Sequence, residues 1–453
     1  MTSTKKALLG VGGLAISLLA TNLMAQPDYN RLGQDLTPIG AERAGNAAGT
    51  IPEWTGGLRP DAGRLLGDGF AENPFAGEQP QFVITAQNFR DYAENLTPGQ
   101  MAMFERYPET FRMPIYETRR SVGFKQEIYD KVREMAGMAQ LVNNGDGITN
   151  FPHGTIAFPI PQTGVEVVWN HLTRHRLNVH RRYMQAMPQV NGSFNVIRFE
   201  EEVGYPAQMP DVDHMAMPNT LLFFKQRVNA PARLAGNVLL VHDSLDQLQE
   251  PRMAWVYNAG QRRVRRAPQV AYDGPGTASD GMRTSDNFSM FNGAPDRYDW
   301  KLIGKREIFI PYNAYKMTER GLRYADVLQA GHINPDHTRF ELHRVWEVQG
   351  NVKQGQRHIY AQRNFFMDED SWMITLADHY DGRGTLWRVG EGHIAHNYHV
   401  GLPGYAIETL YDLLAGRYIA LGLYTEESAA PNYDFTPTYN QFTPSALRAA
   451  GVR

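Results

Sequence analysis

The sequence predicts an α+β chain: a large antiparallel β-sheet with packed helices and a long irregular N-terminal arm. Three observations predict it. From about residue 195 onward, apolar and polar residues alternate with a period of two in short runs divided by turn residues. Before that, between residues 85 and 187, apolar residues recur at helical spacing. Residues 26–80 are rich in Gly, Pro, Asn and Asp and hold no sustained period. Successive strands joined by short turns make an antiparallel meander. The chain shows no repeat of fixed length, which disfavours a solenoid or propeller.

The elements follow in order. Trp54 and Phe75 are the expected anchors of the arm, residues 26–80. Thr85 is placed to cap a helix over Ala86–Asn95, and Pro98 to open a second through Phe104. Phe124–Leu141 reads as another helix ending near Asn143-Asn144-Gly145. Val165–Met187 has helical spacing at Val168, His171, Leu172 and His175, after an entry turn at Pro159-Ile160-Pro161 and Gly164. Strands are expected at Asn195–Glu202, Leu221–Val228, Leu234–Asp243, Met253–Tyr257 and Gln261–Arg266. A long Gly-, Pro-, Asp- and Ser-rich loop, 268–297, follows; loops of that length inside a compact domain tend to be functional or mobile. Alternation resumes at Ile308, then at Phe340, Leu342, Trp346 and Val348 with Arg344 among them. Gln356–Phe366 and Trp372–Tyr380 form a hairpin around Met367–Ser371, whose Asp368, Glu369 and Asp370 read as solvated charge. Thr385–Val389 reads as a strand, Tyr405–Leu414 as a helix and Arg417–Tyr424 as a last strand. Residues 81–453 are expected to form a single domain.

The first 25 residues read as a cleaved export signal. Lys5 and Lys6 precede a short apolar core, Ala7–Ala20, and Leu23-Met24-Ala25 suits a signal peptidase, giving a mature start at Gln26. The expected location is the periplasm. The chain has no Cys, which excludes a lipobox, disulfides and thiolate metal sites. Removing the signal takes away two lysines and no acids, so the formal charge moves from −3 to −5. That mildly acidic balance lacks the broad basic footprint of a nucleic-acid binder, so no nucleic-acid partner is expected.

Large rings occupy alternate strand positions: Trp255 and Tyr257 in one hairpin, then Trp346, Tyr360, Trp372, Tyr380 and Trp387. Such rings can line an apolar cavity under a curved sheet, or simply fill a core. In Arg262-Arg263-Val264-Arg265-Arg266, alternation sends Arg263 and Arg265 to one face and Arg262 and Arg266 to the other. Four cations cannot all be buried unpaired. One pair is therefore placed either at a cavity mouth, holding a phosphate or carboxylate, or on local acids such as Asp243, Asp246 and Asp273. These nine residues, Trp255, Tyr257, Arg263, Arg265, Trp346, Tyr360, Trp372, Tyr380 and Trp387, form the expected ligand-binding set.

Three stretches carry a family resemblance: Leu36–Leu58, from Leu-Thr-Pro-Ile-Gly-Ala-Glu to Ile-Pro-Glu-Trp-Thr-Gly-Gly; Phe158–His171, ending in Trp-Asn-His; and Trp255–Pro268. Each resembles a segment of an exported bacterial family catalogued as a domain of unknown function, number thirteen-twenty-nine, often labelled an outer-membrane lipoprotein-sorting protein. The resemblance implies a half-barrel fold similar to the lipoprotein carriers LolA and LolB, in which the sheet encloses acyl chains. It also implies contacts with an inner-membrane exporter of the resistance–nodulation–division type and with an outer-membrane protein. This chain is much longer than those simple carriers.

Other chemistry is weakly signalled. His171 and His175 have one-face helical spacing but no Glu between them as in a His-Glu-x-x-His zinc site, so no metal is assigned. Asn144-Gly145-Asp146-Gly147 lacks the oxygen series of a calcium loop. No Gly-x-Ser-x-Gly elbow, Ser-x-x-Lys pair or dinucleotide fingerprint is present in the mature chain, so no catalytic residue and no cofactor is assigned. The leading expectation is a periplasmic carrier or accessory protein binding a hydrophobic ligand, a lipid or lipidated cargo, alongside envelope transport machinery. Two alternatives stand: an enzyme acting on an exported lipid or aromatic compound through His171, His175, Asp378 or His379, and a cargo-free adaptor gripping envelope partners.

Overall fold

The computed structural model describes residues 26–268, 270 and 272–451; the expected signal peptide, 1–25, lies outside them. The first strands are short: β1 (Phe82–Ile84), β2 (Met113–Ile115), β3 (Gln140–Val142) and β4 (Gly147–Thr149). Six follow in the middle of the chain: β5 (Val179–Ala186), β6 (Val196–Gly204), β7 (Thr220–Ala230), β8 (Val238–Ser244), β9 (Met253–Asn258) and β10 (Arg263–Arg266). The last seven are β11 (Tyr298–Pro311), β12 (Phe340–Val352), β13 (Gln362–Asp368), β14 (Ile374–Tyr380), β15 (Leu386–Asn397), β16 (Leu402–Asp412) and β17 (Arg417–Leu421). The main helices are α1 (Pro98–Arg106), α2 (Gln126–Met135) and α3 (Gly164–Thr173).

β3 and β4 pair only with each other; the other strands form one 15-stranded sheet. Its path runs β1-β2-β12-β13-β14-β15-β16-β17-β5-β6-β7-β8-β9-β10, with β11 also paired to β12. All pairings are antiparallel except one parallel bridge, Ile115 to Phe340. The two ends, β1 and β10, do not meet, so the curved sheet stays open. The predicted meander is present. What joins its halves is a short pairing of β17 with β5, Ala420 opposite Ala186 and Leu421 opposite Gln185.

The sheet is covered on both faces. Ile394 and Ala395, neighbours on β15, fall in different apolar clusters, as opposite faces of a strand require. One cluster takes Val167, Val168, Trp169 and Leu172 from α3; the other takes Met103 and Phe104 from α1. The arm packs as irregular chain, over the first cluster at Ile39 and Trp54 and over the second at Leu58, Ala71 and Phe75. Trp54 Nε1 donates to the Val122 carbonyl at 3.1 Å, and Trp372 Nε1 donates to the Ile39 carbonyl at 3.0 Å. Phe75 lies half-buried against Tyr315, ring centres 5.9 Å apart.

Several element boundaries differ from expectation. Thr163 opens α3 in a reciprocal capping box with Glu166, but the helix stops at Thr173 and the chain re-enters the sheet as β5 instead of running helical to Met187. The helix expected to Leu141 ends at Met135 and gives way to β3. The one expected over Ala86–Asn95 is a tighter 3-10 segment, Phe89–Asn95. Tyr405–Leu414 is not a helix: β16 runs through it, buried on both faces, and a run that is apolar on both sides loses the alternation that marks a strand. Asp368, Glu369 and Asp370 are buried, not solvated. Cations reach two of them there: Arg120 holds Asp370 through two bonds of 2.8 and 2.7 Å, and Lys305 holds Glu369 at 2.8 Å; Asp368 accepts from the Ser371 hydroxyl at 2.6 Å.

Candidate ligand-binding site

Alternation on four adjacent strands builds a cavity. Val179 and Arg181 of β5, Glu201 and Val203 of β6, Leu222, Phe224 and Gln226 of β7, and Leu239, Val241 and Asp243 of β8 all step by two and share one face. They line a space of about 190 Å³ that is partly open to solvent. Leu402, Tyr405 and Glu408 of β16 form a second wall, and Phe288, Ser289 and Asn292 of the loop 268–297 form a third. Arg174, Arg176 and Leu177, just past α3, close one side. A second space of about 230 Å³, lined by Lys131, His153 and His175 among others, shares Arg174, Arg176, Leu177 and Tyr205 with the first.

The loop is held in place by a histidine. Ile374 N–H donates to His171 Nδ1 at 3.2 Å, which leaves the proton on Nε2, 3.0 Å from the Ser289 carbonyl and 3.1 Å from that of Phe291. Burial holds the ring neutral, well below the usual histidine range, with the Arg174 charge acting the same way. Its two neighbours are equally committed. Trp169 Nε1 donates to the Gly145 carbonyl at 2.9 Å, and Asn170 bonds both the N–H and the C=O of Phe158 at 2.8 and 2.7 Å. The Trp-Asn-His run therefore ties α3 to the sheet, to the preceding turn and to the cavity loop.

The charges around the cavity divide into two kinds. Arg181 is 2.7 Å from Glu201, which also accepts from the Tyr183 hydroxyl at 2.8 Å. Arg252 grips Asp243 with two bonds, 3.0 and 2.7 Å. Arg174, Arg176 and Arg283 are different: they bond only neutral groups. Arg174 donates to the His171 carbonyl and to Ser289 Oγ, the latter at 2.9 Å. Arg176 donates to the Leu172 carbonyl at 2.6 Å, and Arg283 to Gln185 Oε1 at 3.3 Å. Glu408 accepts from the Met290 amide at 2.6 Å, and burial pushes its carboxyl up to about 7.

The family comparison adds identity to this geometry. The model of the family described as a protein of unknown function, DUF1329, matches residues 83–448. The chain belongs to that family. A relative from Pseudomonas aeruginosa, the uncharacterized protein PA3922, is 55% identical over 454 residues, which is 99% of this chain and 100% of that one. Among solved structures, a DUF1329 protein from Desulfovibrio piger has 14% identity and a TM-score of 0.42, covering 60% of this chain and 91% of its own. NE2245 from Nitrosomonas europaea, a LolA superfamily protein, has 10% identity and a TM-score of 0.37, covering 62% of this chain and 98% of its own.

In this DUF1329 chain none of the nine residues expected to bind ligand lines the cavity. Trp255 and Tyr257 lie on the opposite face of β9, packed with Phe223, Leu240 and Phe442. Arg263 and Arg265 share the cavity face, since Arg265 pairs with Val256 and Val256 with Leu239, but they stand exposed on the edge strand β10. Arg266 instead lies over the Trp255 ring at 5.9 Å. Trp346 stacks on the buried Trp372, centres 6.2 Å apart, below the arm. Tyr360 is buried between His379 and Trp387, with Arg388 donating to its hydroxyl at 2.9 Å; Trp387 Nε1 donates to Asp412 at 2.9 Å. Tyr380 is half-buried at the end of β14.

The residues of the enzymatic alternative do not converge. His171 is the loop tie, and His175 borders the second space. Asp378 faces the start of α1, accepting from the Gly99 amide at 3.0 Å, while its neighbour His379 turns to the other face and stacks on Tyr360 at 4.5 Å. Among the described residues, His343, Asp368 and Asp370 have donor atoms within 4.8 Å of one another, the types and spacing a divalent ion uses. Arg120 already occupies both oxygens of Asp370, so the positive charge of that cluster is supplied by the chain itself.

Proposed function

We propose that this protein is a carrier that holds the apolar part of a small lipid-like molecule between β5–β8, β16 and the loop 268–297. The carrying observation is the step-of-two register that turns Val203, Leu222, Phe224, Leu239 and Val241 toward one shared space. Apolar residues that share a concave space with charged and polar groups suit a ligand that is itself amphiphilic. A core would fill such a space with side chains, because interiors are close-packed. The export pattern at Lys5, Lys6 and Ala7–Ala20 supports work in the periplasm. There the carrier would meet the membrane exporter and outer-membrane protein that the family resemblance implies as partners.

Native mass spectrometry of protein purified from the periplasm, followed by lipid extraction, tests the proposal. A co-purifying lipid in a one-to-one complex is the expected result. A bare mass, together with no thermal stabilisation by any added lipid or fatty acid, would overturn it.

A further inference from the structure

Three arginines that face the cavity, Arg174, Arg176 and Arg283, have no carboxylate within ion-pair distance among the described residues, while Arg181 and Arg252 in the same cavity each have one. Arg174 and Arg283 are almost wholly buried, at 8% and 4% exposure. A buried cation bonded only to neutral groups is costly, and proteins normally pair it. Glycine at 276 makes room for the Arg283 guanidinium, since a Cβ there would stand 2.5 Å from its Nη1. The carbonyls at the end of α3 take one side of Arg174 and Arg176, which is ordinary helix capping and leaves both charges unneutralised.

We infer that the cavity is built for an amphiphile with a single oxyanion head, a carboxylate or a phosphate, seated on Arg174, Arg176 and Arg283, with its apolar body against Phe224, Leu239 and Val241. This rests on the carrier reading and specifies the ligand's chemistry. Guanidinium forks match carboxylate and phosphate oxygens bidentately, and such contacts strengthen where water is excluded. Ser289 Oγ, which accepts from Arg174, borders the same space and can add its own hydroxyl as a neutral donor. Burial holds Arg174 down to about 9 and shifts Arg283 in the same direction, with the Glu408 carboxyl of the same cavity opposing both shifts from beyond ion-pair distance; an oxyanion seated on the guanidiniums supplies the direct partner that Glu408 does not.

The test uses the full chain, stripped of lipid and titrated by calorimetry at pH 8 with palmitate, hexadecyl phosphate, hexadecanol and inorganic phosphate. The inference expects the two anionic amphiphiles to bind at least tenfold tighter than hexadecanol, and inorganic phosphate to bind far more weakly than either. The relative strength of palmitate and hexadecyl phosphate then names the head group. Arg174→Gln and Arg283→Gln are expected to erase most of the preference of the anionic amphiphiles over hexadecanol; Arg265→Gln, on the exposed edge, keeps it. Equal binding of hexadecanol and palmitate by the unaltered chain would overturn the oxyanion seat and leave the carrier reading standing. That comparison needs no variant, so a poorly folding arginine variant does not obscure it. Inorganic phosphate binding as tightly as the amphiphiles would reduce the site to a simple anion site. Binding of none of the four would overturn the carrier reading and the inference together.

Discussion

Arg174 donates to the Ser289 hydroxyl at 2.9 Å, and that contact joins the end of helix α3 to the loop that walls the cavity. The bond is between a full charge and a neutral group in a partly buried place. It marks the difference between the two kinds of arginine in this fold, those that complete the protein and those left for something else.

The two kinds should respond oppositely to mutation. Arg181→Met strands the buried Glu201, which then keeps only the Tyr183 hydroxyl. Breaking one half of a buried pair costs about 3–5 kcal/mol. Arg174→Met removes a charge with no acidic partner and is expected to change stability by less than about 1 kcal/mol, because an apolar replacement also removes the burial cost. Urea unfolding of both variants measures the contrast.

His171→Ala should loosen the loop more than the sheet. It leaves the Ile374 amide and the Ser289 and Phe291 carbonyls without their partner. Unpaired buried groups cost about 1–3 kcal/mol each, so a net loss of about 3 kcal/mol is expected. Amide hydrogen exchange should rise most in residues 285–292, where the ring holds the cavity wall.

Glu408 sets a pH dependence whose sign follows from its environment. Its folded carboxyl titrates near 7 against an unfolded 4.5, burial outweighing the Met290 amide and the charges of Arg181, Arg283 and Arg174 that face it. Between those values the unfolded chain loses the proton first, so this group lowers stability as pH rises from about 4.5 to about 7. Glu408→Gln stays neutral throughout. The variant should match the wild type near pH 4.5 and gain on the order of 1–3 kcal/mol by pH 8. Thermal denaturation across that range reads the difference.

Gly40, in the first family-like stretch, should not tolerate a side chain. Its φ is +98°, and a Cβ would stand 1.7 Å from the Pro159 carbonyl oxygen, a backbone atom that cannot move aside cheaply. Gly40→Ala is expected to cost at least about 2 kcal/mol, from the left-handed backbone and the clash together. The loss should appear as easier proteolysis of the arm, which this contact fastens to the entry of α3.

Much of the fold was legible because local signals and packing agree. The turn at Pro159-Ile160-Pro161 and Gly164 marks the start of α3, and β6 and β7 alternate because one face is buried more deeply than the other. β16 was not legible: both its faces are covered, and the alternation disappears. The pairing of β17 with β5 was not legible either, since no local residue encodes a contact between positions 420 and 186. The cavity was missed for a specific reason. Rings suggested a lining, yet Trp255 and Tyr257 occupy the positions of β9 that face away, and the strand residues that do line the cavity mix aliphatic with charged side chains. The signal was present one step over, in Leu222-x-Phe224-x-Gln226 and Leu239-x-Val241-x-Asp243, where apolar positions lead to a polar one on the same face.

Photolabelling tests the central claim most directly. A fatty acid carrying a diazirine at its methyl end would be bound to the lipid-free protein, irradiated, and the labelled peptides mapped by mass spectrometry. The account predicts label on β7, β8 and the loop 268–297, at residues such as Phe224, Leu239, Val241 and Phe288. Label confined to the far face of β9 at Trp255 and Tyr257, or to the Trp346–Trp372 stack beneath the arm, would contradict it.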